Sequence, residues 1–385
     1  MAYNGLAPQI PYTSFGEIAT ASVTPRIQLQ FPYVLNTDSV NTAVTGSGTV
    51  THSAPFAIVS TTAAINSSAS LSSKNNLHYR TGQGGVCMFT AIFTAGAANS
   101  VQEVGLGDTV NGFFFGFNGT SFGINRRSSS SDNYIPQSTW NKDKMNGSGS
   151  SGMTLDATKG NVYKIQYQWL GFGGINFFIE NPLTNSFVLV HQIQYANANT
   201  TTSVLNPSLP LSFKVSNTSN NTNIVVKVPS IAAFVEGTVV DTGLINSISN
   251  AKSLTTQLNI FTIQNKSTFG GVSNKKAVLP LLLSIANTSN ADLTVRMILN
   301  TTLGGVPSYT DISTTTSVVS FDVAGTTITG GRALGIFVLN GNTNAQVRLD
   351  YIPIAINPTD ILTFSGTSSG AAITATAALT WSEIF

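Results

Sequence analysis

The chain has 385 residues, 42% of them hydrophobic and only 9% charged, with 18 basic and 16 acidic side chains for a net charge of +2. Globular chains usually carry about a quarter charged residues, so the polar surface here must come from Asn, Thr, Ser, Gln and Gly, which suit strands and tight turns and not long helices. So balanced a charge offers no basic stripe to displace counterions from phosphates, which excludes nucleic acid as a main partner; the pairs Arg126-Arg127 and Lys275-Lys276 read as solvated turn residues.

Residues 1–35 are predicted to be an irregular N-terminal arm, broken by Pro11, Pro25 and Pro32. Residues 1–10 lack the basic and apolar regions of a secretory signal. From Val40 on, short strands alternate with turns, over 54–60, 77–80 and 86–94. Cys87, the only cysteine, sits between Val86 and Met88-Phe89, which makes it a buried strand thiol, and no internal disulfide can form. Phe113 to Phe117, Asn118-Gly119 and Ser121 to Ile124 read as a hairpin, because Asn-Gly supplies the positive φ a tight turn needs. The Ser- and Gly-rich stretch 126–152 is predicted to be a long exposed loop.

Residues 162–169 alternate apolar and polar positions, and with strands at 175–179 and 187–191 they form a three-strand meander of period two. Strands follow at 211–215 and 223–228. Residues 241–254 lose their aromatics and are taken as a linker. A second set of strands runs to the end, near 255–264, 278–286, 293–299, 317–323, 333–339, 346–352 and 371–381. The longest apolar run, 277–286, is interrupted by Pro280 and is too short to cross a bilayer, so no membrane insertion is expected. The fold expected is all-β: an arm (1–35), a lectin-like sandwich (36–240), a linker (241–254) and a second, jelly-roll-like antiparallel sandwich (255–385).

Catalytic and metal-binding patterns are missing. His52, His78 and His191 lack ligand spacing. The G-x-S-x-G matches at 119–123 and 366–370 lack the following helix that a nucleophile elbow requires. Glu103 and Asp108 read as isolated acids, and Asp132 and Asp143 as loop acids, so no acid/base pair stands out. A calcium site using Asp108 or Asp132 stays open at this point. No cofactor and no enzymatic activity are expected. Alternating aromatics such as Phe113, Phe115, Phe117 and Trp169 read first as core. Tyr134 and Trp140, lying in a polar segment, are the better candidates for stacking on a sugar, with Asp108 and Asn118 as polar neighbours.

The meander at 162–191 resembles the concanavalin-A or laminin-G-like lectin sandwich, with Asn181-Pro182 where that group usually carries Asp-Gly. Other stretches resemble structural and surface proteins of tailed phages and of large algal or protist DNA viruses: Tyr79-Arg80-Thr81-Gly82-Gln83-Gly84, Gly105-Leu106-Gly107-Asp108, Gly112 to Gly123, Gln194-Tyr195-Ala196-Asn197, Leu303-Gly304-Gly305 to Tyr309-Thr310-Asp311 and Leu379 to Phe385. That resemblance implies a virion location, as fibre, spike, capsid or tail component. It also implies self-association, with a trimer as the expected form, alongside other virion proteins. The alternative is a carbohydrate-binding module for host-surface glycans.

Overall fold

The computed structural model describes residues 22–238, 243–350 and 354–384. The chain divides into two compact units, residues 1–240 and 241–385. Each is built of antiparallel sheets, and among the described residues the one helical element is a short 3-10 turn, Gln137–Thr139.

The first unit faces a nine-stranded sheet against a seven-stranded one. The nine-stranded sheet runs Ser186–Ile193, Ile175–Asn181, Asn161–Tyr167, Gly85–Phe93, and there it forks. The Gly85 to Phe89 half of the last strand pairs with Ser230–Glu236, which carries Val23–Gln30 on its far side. The Ile92-Phe93 end pairs with Val225–Val228, followed by Phe56–Ser60 and Thr49–Ser53. The seven-stranded sheet has the order Ser131–Pro136, Ser121–Ser128, Gly112–Asn118, Ser100–Gly107, Leu209–Asn217, Ser67–Leu77, Val40–Thr45.

Alternation along each strand sends one set of side chains into the space between the sheets. Rings from both sheets interlock there: Phe115 meets Tyr163 at 4.9 Å, Phe177 at 5.4 Å and Phe89 at 6.3 Å between centroids. Burying a side chain of this size stabilises by about 1.5–3 kcal/mol. Edge-to-face pairing adds about 0.5–1.5 kcal/mol. Cys87 is fully buried in this core, and burial pushes its thiol pKa far up, so the thiolate is suppressed.

Three sequence expectations need correction in this unit. Of the arm, residues 1–21 lie outside the described residues, but Val23–Gln30 is a regular strand, not irregular chain. Its Ile27 and Leu29 point inward, and Pro25 is tolerated because the register shifts between Pro25 and Ile27. The long exposed loop expected at 126–152 begins with ordered pairing and buries Asp143 and Met145 further on. Ser121–Ser128 and Ser131–Pro136 form a hairpin closed by Ser129 and Ser130, at φ of 53° and 61°, the type I′ arrangement. The hairpin expected at Asn118-Gly119 turns one residue later: Asn118 pairs with Ser121, so Gly119, at φ 60°, and Thr120 make the turn.

The second unit faces a four-stranded sheet (Leu244–Leu254, Ile373–Ile384, Ala277–Asn287, Asn344–Arg348) against a six-stranded one (Thr310–Asp311, Val319–Asp322, Leu258–Asn265, Ile361–Ser368, Leu293–Leu299, Arg332–Leu339). Leu283, Ile285, Leu379 and Trp381 from one sheet pack in a single core with Phe261, Phe364, Val295 and Met297 from the other. Pro280 sits within a central strand because the register shifts between Pro280 and Leu282. The expected linker at 241–254 is also corrected. Leu244–Leu254 pairs along its whole length with Ile373–Ile384, so backbone hydrogen bonds hold a strand whose small polar side chains gave no apolar signal.

Candidate functional site

Tyr134 and Asn118 meet on the outer face of the seven-stranded sheet. The inward set on its neighbouring strands is Val104, Leu106, Phe113, Phe115 and Ile124, all in the core. The alternate positions must then face outward. Strand register places Tyr134 beside Asn125 and Asn125 beside Phe114. It also places Asp132 beside Arg127, and Glu103 between Gly116 and Lys214. Six outward side chains from four strands thereby converge, although they are scattered from 103 to 134 in the chain.

Arg127 organises the group. Its Nη2 donates to Glu103 Oε1 at 2.8 Å and Oε2 at 3.0 Å, its Nε donates to Asp132 Oδ1 at 2.7 Å, and its Nη1 donates to the Asp108 carbonyl at 3.1 Å. The guanidinium also lies 5.1 Å from the Phe114 ring centroid. Burial alone would lower the Arg127 pKa, but the hydrogen bond to Asp132 and the charges of Glu103 and Asp132 outweigh it, and the net shift is upward. Burial likewise opposes ionisation of Asp132, and the hydrogen bonds from Arg127 and Asn125 overcome it, holding that carboxyl below its ordinary value. The sequence reading of Arg126-Arg127 as solvated turn residues is therefore corrected. Arg127 is 9% exposed within a strand, and Arg126 is half-buried, its Nη1 donating to the Ser203 carbonyl at 2.6 Å.

Asn125 is the unusual member. Its Nδ2 donates to Glu103 Oε1 at 2.8 Å. A carboxylate accepts only, so this bond fixes the amide orientation and turns Oδ1 the other way. The residue is 6% exposed, and Oδ1 has no hydrogen-bond partner. A buried acceptor left unpaired costs about 1–3 kcal/mol. The Asn125 residue borders a cavity of about 110 Å³ whose walls also include Glu103, Phe114, Asn118, Asp132 and Tyr134.

Glycine makes the space. A Cβ on Gly116 would lie 1.7 Å from the Gln102 carbonyl oxygen, and one on Gly123 would lie 2.8 Å from the Tyr134 hydroxyl. Without those carbons, Tyr134 can lie over Gly123 and donate to the Ser121 carbonyl. Burial pushes its pKa up to about 12, so the phenol stays protonated.

The other two sequence candidates are elsewhere. Trp140 is 2% exposed, its ring 6.2 Å from Phe115 and 6.3 Å from Phe122, so the expected sugar-stacking role is corrected to a core one. The reason is the 3-10 turn just before it, which tips the indole under the sheet instead of into solvent. Asp108 closes the turn after Ser100–Gly107, its Oδ1 accepting from Val110 N at 2.7 Å and Asn111 N at 2.9 Å. With Asp108 on backbone amides and Asp132 on Arg127, neither carboxylate is placed for calcium. Among the described residues no group of three or more His, Cys, Asp or Glu could hold a metal. A larger cavity of about 480 Å³ lies at the fork of the nine-stranded sheet, but none of its lining residues, among them Gln28, Met88, Thr90 and Ser230, is charged.

No family model matches the chain. No curated protein matches it either. Among solved structures, "Cellulose induced protein, Cip1" aligns with 54% of this chain and 96% of its own, at 15% identity and a TM-score of 0.37. Peanut lectin aligns with 56% of this chain and 98% of its own, at 10% identity and a TM-score of 0.35. Arcelin-5, a lectin-like defense protein from Phaseolus vulgaris, aligns with 57% of this chain and 100% of its own, at 10% identity and a TM-score of 0.35. Likenesses of this size fix neither a family nor a ligand.

Sequence reasoning missed Glu103, Asn125, Arg127 and Asp132 as a group. The available signal was Glu103 itself, an acid one residue before Val104 in an apolar strand, which demands a buried cation from another strand.

Proposed function

We propose that the first unit is a carbohydrate-recognition module whose ligand sits on the outer face of the seven-stranded sheet, at Asn125, Tyr134 and Asn118. The observation that carries this is a cavity of about 110 Å³ on that face, bordered by the exposed Asn118, the half-buried Tyr134 and Asn125. The exposed Asn118 amide offers both a donor and an acceptor to sugar hydroxyls. The half-buried Tyr134 supplies the amphipathic ring surface that sugar rings pack on.

Binding is favoured over hydrolysis because Glu103 and Asp132 share one guanidinium. A glycosidase needs one carboxyl free to give a proton and another free to attack or to activate water. A particle location, implied by the sequence resemblance alone, would make the ligand a host-surface glycan.

A glycan array probed with the full chain tests this, with Tyr134→Ala and Asn118→Ala as controls. The proposal expects a defined subset of glycans to bind and both variants to lose signal. Signal unchanged in both variants would place any sugar site elsewhere.

A further inference from the structure

The outer face of the nine-stranded sheet carries an inference that does not rest on the sugar reading, which uses the other sheet. We infer that this face is the junction between two copies of the chain, related by a two-fold axis that runs along the strands.

Alternation decides which side chains stand on that face. Tyr163, Ile165, Phe177 and Ile179 lie in the core, so Val162, Lys164, Phe178 and Glu180 point outward. The outer face of an antiparallel sheet in water is usually polar. Here Phe178, Phe187, Leu189, Val162 and Met88 stand on it half-buried. Lys164 lies over two of the rings, its Nζ 4.1 Å from the Phe178 centroid and 4.8 Å from that of Phe187.

The relief of the face names the partner. Strand register sets one row across it as Leu189, Phe178, Lys164, Met88, Ala232 and Gln28. The row is bulky at the Leu189 end and low at Ala232, beside Ser230, where the cavity of about 480 Å³ lies. A two-fold axis between Asn161–Tyr167 and Gly85–Phe93 lays the Leu189 and Phe178 end of each copy over the Ala232 and Gln28 end of the other. Each ridge then fills the other's hollow, the self-match that an isologous interface requires. Lys164 leans away from that axis, onto the two rings, so the two copies' ammonium groups do not meet. Six strands about 4.8 Å apart, with about seven residues each at about 3.3 Å, give a footprint of about 24 by 23 Å. With its relief, that approaches the accessible surface of about 800 Å² that a standard interface takes from each partner. Aromatic and Met side chains are also what interface centres favour.

Light scattering on the full chain after gel filtration tests this. The protein should run at twice the chain's mass, because a face that matches itself across a two-fold axis closes at two copies. Ser230→Phe fills the hollow from an exposed position, and Phe187→Ala lowers the ridge. Each should weaken the dimer about thirtyfold or more, the effect of losing a central anchor. If Phe187→Ala does not fold, Ser230→Phe alone decides. A monomer, a trimer, or a dimer that Ser230→Phe leaves unchanged would overturn the inference, and none of these outcomes touches the carbohydrate reading.

Discussion

Arg127→Met removes the cation from the centre of the outer face while keeping most of its length. The Arg127 side chain is 11% exposed and that of Glu103 is 5%. After the change Glu103 keeps a single side-chain donor, Asn125 Nδ2. Removing one partner of a buried pair costs about 3–5 kcal/mol, because the other charge stays desolvated. The Asp132 side chain is 49% exposed, so its share is that of a surface pair, about 0–1 kcal/mol. The sum is a large part of a domain's usual stability of about 5–15 kcal/mol. Urea unfolding followed by fluorescence measures it, since Trp140 and Trp169 of the three tryptophans both lie in the first unit. The double variant Glu103→Leu/Arg127→Met should recover much of the loss. A single variant within about 1 kcal/mol of wild type would show that this pair does not hold the face together.

Trp140→Ala should unfold the first unit earlier by about 3–5 kcal/mol, the cost of a buried indole, seen as a lower melting temperature without any ligand. In the second unit, Glu383 is fully buried and accepts from Asn246 Nδ2, Ser317 Oγ, Val318 N and Trp381 Nε1. Glu383→Ala orphans all four donors and should cost at least about 3 kcal/mol by calorimetry, with the first unit's transition unmoved. Burial lowers the pKa of His191, and the Asn141 N–H donates to its Nδ1 at 3.2 Å, which favours the neutral ring. The unfolded chain then binds the proton more tightly, so stability should fall as pH drops below about 6.5, and His191→Gln should flatten that slope.

What the sequence revealed depended on where the pattern was written. The strands Asn161–Tyr167 and Ile175–Asn181 were legible because large apolar residues alternate with polar ones. Ser67–Leu77 was not, because Ala69 and Leu71 point inward among serines too small to mark a period. Leu244–Leu254 was hidden for a related reason: its partner, Ile373–Ile384, lies more than a hundred residues away and supplies the backbone bonds. At the site, Tyr134 and Asn118 stood out as an aromatic and an amide in polar surroundings. The pairing of Arg127 with Glu103, 24 residues apart, required the register of two hairpins. Trp140 was misread because its core partners, Phe115 and Phe122, come from strands distant enough that its polar flanks dominated the local signal.

Asn118, Asn125 and Tyr134 border one cavity, the proposed sugar site. With asparagine side chains labelled with ¹⁵N, and the Asn125 amide assigned by its loss in Asn125→Ser, a glycan found on the array is titrated into the full chain and the amide resonances are followed by NMR. The account predicts that the Asn125 and Asn118 signals move together and saturate, while that of Asn176, on the opposite sheet, stays in place. A saturating glycan that leaves Asn125 unmoved would contradict it.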